Sequence, residues 1–197
     1  MPRALTAVVL AGGAASRFGG DKLSAPLAGP AVMGGVRVVD GALTAARAVA
    51  DRVLVAGPAH VGDGEVLADA VPAGGGDGGR TGPLAAIVAA LEAATTPLLA
   101  VVAGDMAWAS PEVLRDLAGR WDGEVAVVPA VDGVVQPLHA VWSVGHAAVV
   151  RAAFDAGARS PSQACADLGA RVVDLPGGAW SRDVDVPADL EVPTDLG

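Results

Sequence analysis

The chain has 197 residues, a net charge of −9 and a single cysteine, Cys165. The length suits one domain, residues 1–197, with a sizeable core. The acidic balance speaks against non-specific binding to nucleic acid or to an anionic membrane. The lone cysteine excludes an internal disulfide and fits a reducing, cytoplasmic setting.

Arg3 followed by an apolar run faintly imitates a secretory leader. The run is short, however, and passes directly into two glycines and an arginine. Leu5–Leu10 reads as a fully buried strand. It leads into Ala11-Gly12-Gly13, then Arg17, Gly19-Gly20 and Lys22. Glycines let a ligand approach the main chain, and two cations in one short loop would wall a cradle for phosphate oxygens. The bland alternative is an ordinary strand–turn–helix corner with two surface cations. No Gly-Lys-Ser/Thr follows, so this is not a Walker loop, and the dinucleotide pattern Gly-x-Gly-x-x-Gly is absent.

Further strands are expected at Arg52–Ala56, Leu98–Ala103, Glu124–Ala130, Val134–Val144 and Arg171–Leu175. Helices are expected near Val36–Val49, Pro83–Ala94, Pro111–Arg120, Gly145–Ala156 and Ser162–Leu168. Val-rich strands with long crossovers indicate a mainly parallel sheet covered on both faces. The Asp132-Gly133 turn predicts one hairpin, and hence a mixed sheet. Ser110 and Pro111 form a natural helix start.

Four later stretches carry candidate chemistry. Ala73–Gly82 holds six glycines and ends in Gly82-Pro83-Leu84, a corner that allows close backbone approach to a flat ligand. Asp105 lies just past the carboxyl end of a strand, where open α/β sheets bind ligands; a turn residue is an equal reading there. Gln136-Pro137-Leu138-His139 places a proline inside a strand-like run, which implies an edge or bulge. His139 reads best as an ordinary strand-face histidine. Asp183 and Asp185, at i and i+2 on an extended segment before a helix expected to start at Pro187, point the same way; either could instead merely cap that helix. His60, His139, His146 and Cys165 have no zinc-ligand spacing, and no Gly-x-Ser-x-Gly elbow occurs. Trp108, Trp121, Trp142 and Trp180 read as core or rim residues rather than a base-stacking platform.

Leu10-Ala11-Gly12-Gly13 with Arg17, Gly19 and Lys22 resembles the signature loop of the molybdenum cofactor guanylyltransferases, the MobA-like nucleotidyltransferases. Gly82-Pro83-Leu84-Ala85 is similar to their base-facing segment, and Asp105 to their metal-binding aspartate. Here Asp105-Met106-Ala107-Trp108 lacks the proline of the common Asp-x-Pro. Asp69 resembles the acidic residue that contacts the nucleotide, although a solvated turn fits it nearly as well. Gln136-Pro137-Leu138 matches a segment near the acceptor. Asp183-Val184-Asp185-Val186-Pro187 resembles the closing motif, with acids for the usual amides and Val186 for threonine.

The resemblance implies a single-domain Rossmann-like three-layer α/β sandwich of the nucleotide-diphospho-sugar transferase type. It implies GMP transfer from GTP to the terminal phosphate of molybdenum-molybdopterin, with Arg17, Lys22 and Asp105 as catalytic residues. The nucleotide would meet Leu10, Ala11, Gly12, Gly13, Lys22, Asp69, Gly82, Pro83, Leu84 and Asp105. Mg²⁺ would sit on Asp105 and, in a role known from sibling enzymes, Asp185. Implied partners are GTP, the molybdopterin-type acceptor and, transiently, molybdoenzymes or other cofactor-biosynthesis proteins. The alternatives are a cytidylyltransferase on the same acceptor, another NTP:phosphate nucleotidyltransferase, and a non-catalytic nucleotide-binding module.

Overall fold

Six consecutive buried residues in each of β1 (Leu5–Leu10) and β4 (Leu98–Ala103) put these strands at the centre of a sheet, covered on both faces. The computed structural model describes residues 3–12, 21–28, 36–57, 64–67 and 82–191. The other strands are β2 (Arg52–Ala56), β3 (Glu65–Val66), β5 (Ala126–Val131), β6 (Val134–Val135), β7 (His139–Ser143) and β8 (Arg171–Asp174). The strand order is β3-β2-β1-β4-β7-β5-β6, with β8 added alongside β5. β1 runs parallel to both β2 and β4, whereas β7 is antiparallel to its neighbours β4 and β5. The mixed, mostly parallel sheet follows as expected.

Alternation along the strands sends one set of side chains to each face. Val8, Leu54, Leu99, Val101 and Trp142 pack beneath α2 (Gly82–Ala93), α4 (Ala147–Asp155) and α5 (Pro161–Asp167). Ala7, Val9, Val55, Ala100 and Val102 pack against α1 (Val38–Val49) and α3 (Pro111–Arg120). Helices on both sides of one sheet make three layers. Ser110 caps α3 by accepting from Val113 N at 3.3 Å, and Pro111 occupies the first turn, as the sequence predicts. Short 3-10 turns occupy Ala179–Ser181 and Pro187–Leu190, so the helix expected to start at Pro187 is only a four-residue turn.

Two expectations need correction. Val134–Val144 is not one strand: it divides into β6 and β7, and the bend at Gln136–Leu138 separates them. Pro137 has no N–H to give a ladder, so Gln136 N turns to Pro129 O (2.8 Å) while Leu138 O accepts from Ala103 N (2.8 Å). The two-residue strand β3 was not foreseen, because so short a segment carries no periodicity. The predicted hairpin turn is present, with positive φ at both Asp132 (50°) and Gly133 (78°).

Candidate active site

The carboxyl ends of β1 and β4 lie side by side, tied where Gly104 N donates to Leu10 O at 2.9 Å. Asp105 follows directly. Its loop is held by short-range bonds from Met106 N to Ala103 O and from Ala109 N to Met106 O, and Met106 and Ala107 are buried. The loop lies so close to α1 that a Cβ on Gly41 would stand 1.8 Å from the Ala107 carbonyl oxygen. A mid-helix glycine is otherwise unfavourable, so the close approach accounts for it.

A second segment arrives from the far end of the chain. Val184 N donates to Asp105 O at 3.0 Å, and the buried Val184 packs with Val38 and Ala107. Asp189 accepts from Asp185 N and Val186 N, both at 2.9 Å, and so supplies the cap for the closing turn. The carboxylates of Asp183 and Asp185 are thereby left for the site. One oxygen from each of Asp105, Asp183 and Asp185 falls within 4.8 Å of the others.

Lys22 completes the cluster. Its segment is stitched to the start of α1 by Val39 N to Leu23 O and Val38 N to Ala25 O. The ammonium lies 2.8 Å from Asp105 Oδ2 and 3.3 Å from Asp185 Oδ1. Burial alone would lower its pKa, but the bonds and charges of Asp105 and Asp185 outweigh burial and hold it above its ordinary value. For Asp183, burial followed by repulsion from Asp105 and Asp185 pushes the pKa up. Strong local demand for a cation is the electrostatic signature of this corner.

Beside the carboxylates opens a cleft of about 320 Å³. Pro83, Gln136, Leu138, Ser160, Ser162 and Ser181 line it, with Asp105 and Asp183 in its wall. Its described lining includes no cation. Phosphate charge is therefore best met at the Lys22 end, and an uncharged body with hydrogen-bonding edges suits the cleft.

Residues 7–171 match the family model of the MobA-like NTP transferase domain. The chain belongs to that family. A Natronomonas pharaonis protein described as a probable molybdenum cofactor guanylyltransferase is 44% identical over 61 residues. That match spans 31% of this chain and 30% of the relative, less than a third of either. The structure of molybdopterin-guanine dinucleotide biosynthesis protein A from Archaeoglobus fulgidus is similar over 94% of both chains, with a TM-score of 0.63 and 22% identity. The 2-C-methyl-D-erythritol 4-phosphate cytidylyltransferase of Thermus thermophilus is similar over 93% of this chain and 94% of its own, with a TM-score of 0.60 and 22% identity. Two proteins with different bases in their names fit almost equally, so these likenesses speak for the fold and not for the substrate.

The MobA-like transferase brings several predicted residues together. Lys22, Asp105 and Asp185 meet directly. Leu10 ends β1, and Ala11, the next residue, donates its N–H to Ala56 O at 2.9 Å. Gly12 follows at the same edge and is the last described residue of this stretch. Gly82 opens α2 with φ +70°, a backbone that only glycine adopts freely, and a Cβ there would come 2.8 Å from Arg159 O. Pro83 faces the cleft, whereas Leu84 is wholly buried in the core and can serve a ligand only from beneath. Gly13, Arg17 and Asp69 lie outside the described residues.

Other functional neighbours escaped sequence reading. Ser160, Ser162 and Ser181 are isolated serines with no motif around them, and nothing local marked Gly41 as the seat of the Asp105 loop. Asp183 was visible through its i, i+2 spacing to Asp185. His139 is a buried strand residue, as expected. No described helix is long and apolar enough to cross a membrane.

Proposed function

We propose that this transferase moves GMP from GTP to the terminal phosphate of a molybdenum-molybdopterin acceptor and releases pyrophosphate. The observation that carries the reading is the Lys22 ammonium held between Asp105 and Asp185 beside the carboxyl ends of β1 and β4. Lys22 grips the triphosphate, with Arg17 and the Gly12-Gly13 backbone added by family resemblance. Hard carboxylate oxygens clustered within 4.8 Å suit Mg²⁺. Asp105 and Asp185 would hold it, with Asp183 adjacent, and when bound it would neutralise charge on the phosphates.

The acceptor's phosphate oxygen attacks the α-phosphorus in line. One P–O bond forms there while the bridge to the β-phosphate breaks, and pyrophosphate carries away the electron pair. No protein nucleophile is needed, because positioning and charge neutralisation supply the catalysis. The acceptor's uncharged body would lie along Gln136–Leu138 in the cleft, its phosphate toward Asp105. A cytoplasmic location and hand-over of the product to molybdoenzymes or other cofactor-biosynthesis proteins would accompany this role.

Guanine is favoured over cytosine by Ala11-Gly12-Gly13 and by the Gly82-Pro83-Leu84-Ala85 corner. The acidic Asp183/Asp185 pair is the feature that favours the cytidylyl sibling. The test is pyrophosphate release with Mg²⁺, acceptor and each of GTP, CTP, ATP and UTP, paired with calorimetric titration of each nucleotide. Selective turnover of GTP is expected. Preference for CTP would select the sibling activity, and nucleotide binding without pyrophosphate release would select a binding module.

A further inference from the structure

His139 is wholly buried at the head of β7, yet it is the one imidazole on that strand's inner face. Its Nε2 lies 3.1 Å from the Ser110 carbonyl oxygen. A carbonyl only accepts, so a proton sits on Nε2, and burial disfavours a second one, which leaves the ring neutral with a bare Nδ1. Nδ1 has no partner among the described residues. A buried acceptor left unsatisfied is costly, and an apolar residue would fill a strand position of this kind without that cost. Stability alone therefore does not account for a histidine here.

Its neighbours do. Along the sheet His139 pairs with Val102, three residues before Asp105. Through Nε2–H it holds Ser110, the residue that ends the Asp105 loop and caps α3. Among the described residues the Ser110 carbonyl otherwise receives only a long 3.4 Å bond from Leu114 N, so the histidine is its better partner. On its other side the ring meets Trp180, with centroids 5.4 Å apart and planes tilted by 47°. Trp180 sits in the turn Ala179–Ser181, which ends two residues before Asp183. One ring thus touches both segments that deliver the carboxylates.

We propose that His139 is a positioning residue that fixes the Asp105 loop relative to the Asp183–Asp185 segment, and so sets the spacing of the carboxylate cluster. Its use in metal binding rests on the function proposed above, whereas its mechanical role does not. The natural seam to watch is the bond from Val184 N to Asp105 O, which joins the two segments directly.

The test uses the full chain with His139→Phe, His139→Gln and Trp180→Ala. Phe keeps a ring and removes the donor; Gln keeps a donor at the reach of Nε2. Trp180 is only half-buried, so its variant guards against a failure of His139→Phe to fold. Amide hydrogen exchange is read at Val184 against Val8 and Val101 in the sheet, and Mn²⁺ binding is read by calorimetry without nucleotide. For His139→Phe and Trp180→Ala, Val184 should exchange about tenfold faster relative to the sheet amides, and Mn²⁺ binding should weaken by a similar factor. His139→Gln should stay within about threefold of wild type on both, given the retained donor. Unchanged Val184 exchange in the folded variants, or equal acceleration at every amide, would overturn the positioning role. Wild-type protein that fails to bind Mn²⁺ would instead sink the metal reading, and the Val184 exchange would still decide the role of His139.

Discussion

Gly41→Ala offers the sharpest contrast between local preference and tertiary packing. In a free helix interior the change should stabilise by about 1 kcal/mol, since alanine is the better helix former. In this fold the new Cβ would stand 1.8 Å from Ala107 O and 2.5 Å from Ala107 C, where real contacts do not fall below 3.0 Å. Backbone, not a flexible side-chain end, blocks the way, so α1 and the Asp105 loop must separate by about 1 Å. Overpacking of this kind costs about 3 kcal/mol at the upper end of its usual range, leaving a net loss of about 2 kcal/mol. For a chain of this length that is a fall in Tm of about 4–8 °C. Because Ala107 lies two residues from Asp105, turnover should drop by up to about 10²-fold as the carboxylate shifts. Gly119→Ala is the control: nothing lies within 4 Å of its Cβ on α3, so it should be neutral or slightly stabilising. Thermal unfolding and pyrophosphate release decide the matter. A Gly41→Ala protein as stable as Gly119→Ala, with native turnover, would refute the packing argument.

Asp105→Asn should lower kcat at saturating Mg²⁺ by at least about 10²-fold while leaving GTP affinity within a few-fold, since its carboxylate acts chiefly on the transition state; near-native turnover would reject the assignment. Lys22→Met should cut turnover and yet tighten binding of Mg²⁺ alone, because it removes the ammonium that competes for Asp105 and Asp185; calorimetry with Mg²⁺ and no nucleotide checks the sign. Acid stability should depend on His139, whose pKa burial pulls from 6.5 to about 4. Between those values the unfolded chain binds the proton and the folded chain does not, so stability falls as pH drops through that window and levels off below it. The whole gap amounts to about 3 kcal/mol. His139→Gln should therefore gain on wild type as urea unfolding is followed from pH 6.5 to 4, and parallel curves would contradict this.

The sequence by itself determined the elements whose causes are local. Uninterrupted apolar runs marked β1 and β4, Ser110-Pro111 marked the start of α3, and Asp132-Gly133 marked the hairpin, because strand burial, helix capping and positive-φ turns are set by adjacent residues. The candidate groups were also legible: Asp105 just past a strand end, Lys22 in a Gly-rich loop, and Asp183 and Asp185 at i, i+2 on an extended segment. Their convergence was not. Lys22, Asp105 and Asp185 stand some eighty residues apart in sequence, and the parallel pairing of β1 with β4, the bonds that stitch the Lys22 segment to α1 and the bond from Val184 N to Asp105 O bring them to one point. The glycine at 41, the serines of the cleft and the junction made by His139 belong to the same class. Each answers to a neighbour supplied by a distant part of the chain, and no local pattern carries the identity of such a neighbour.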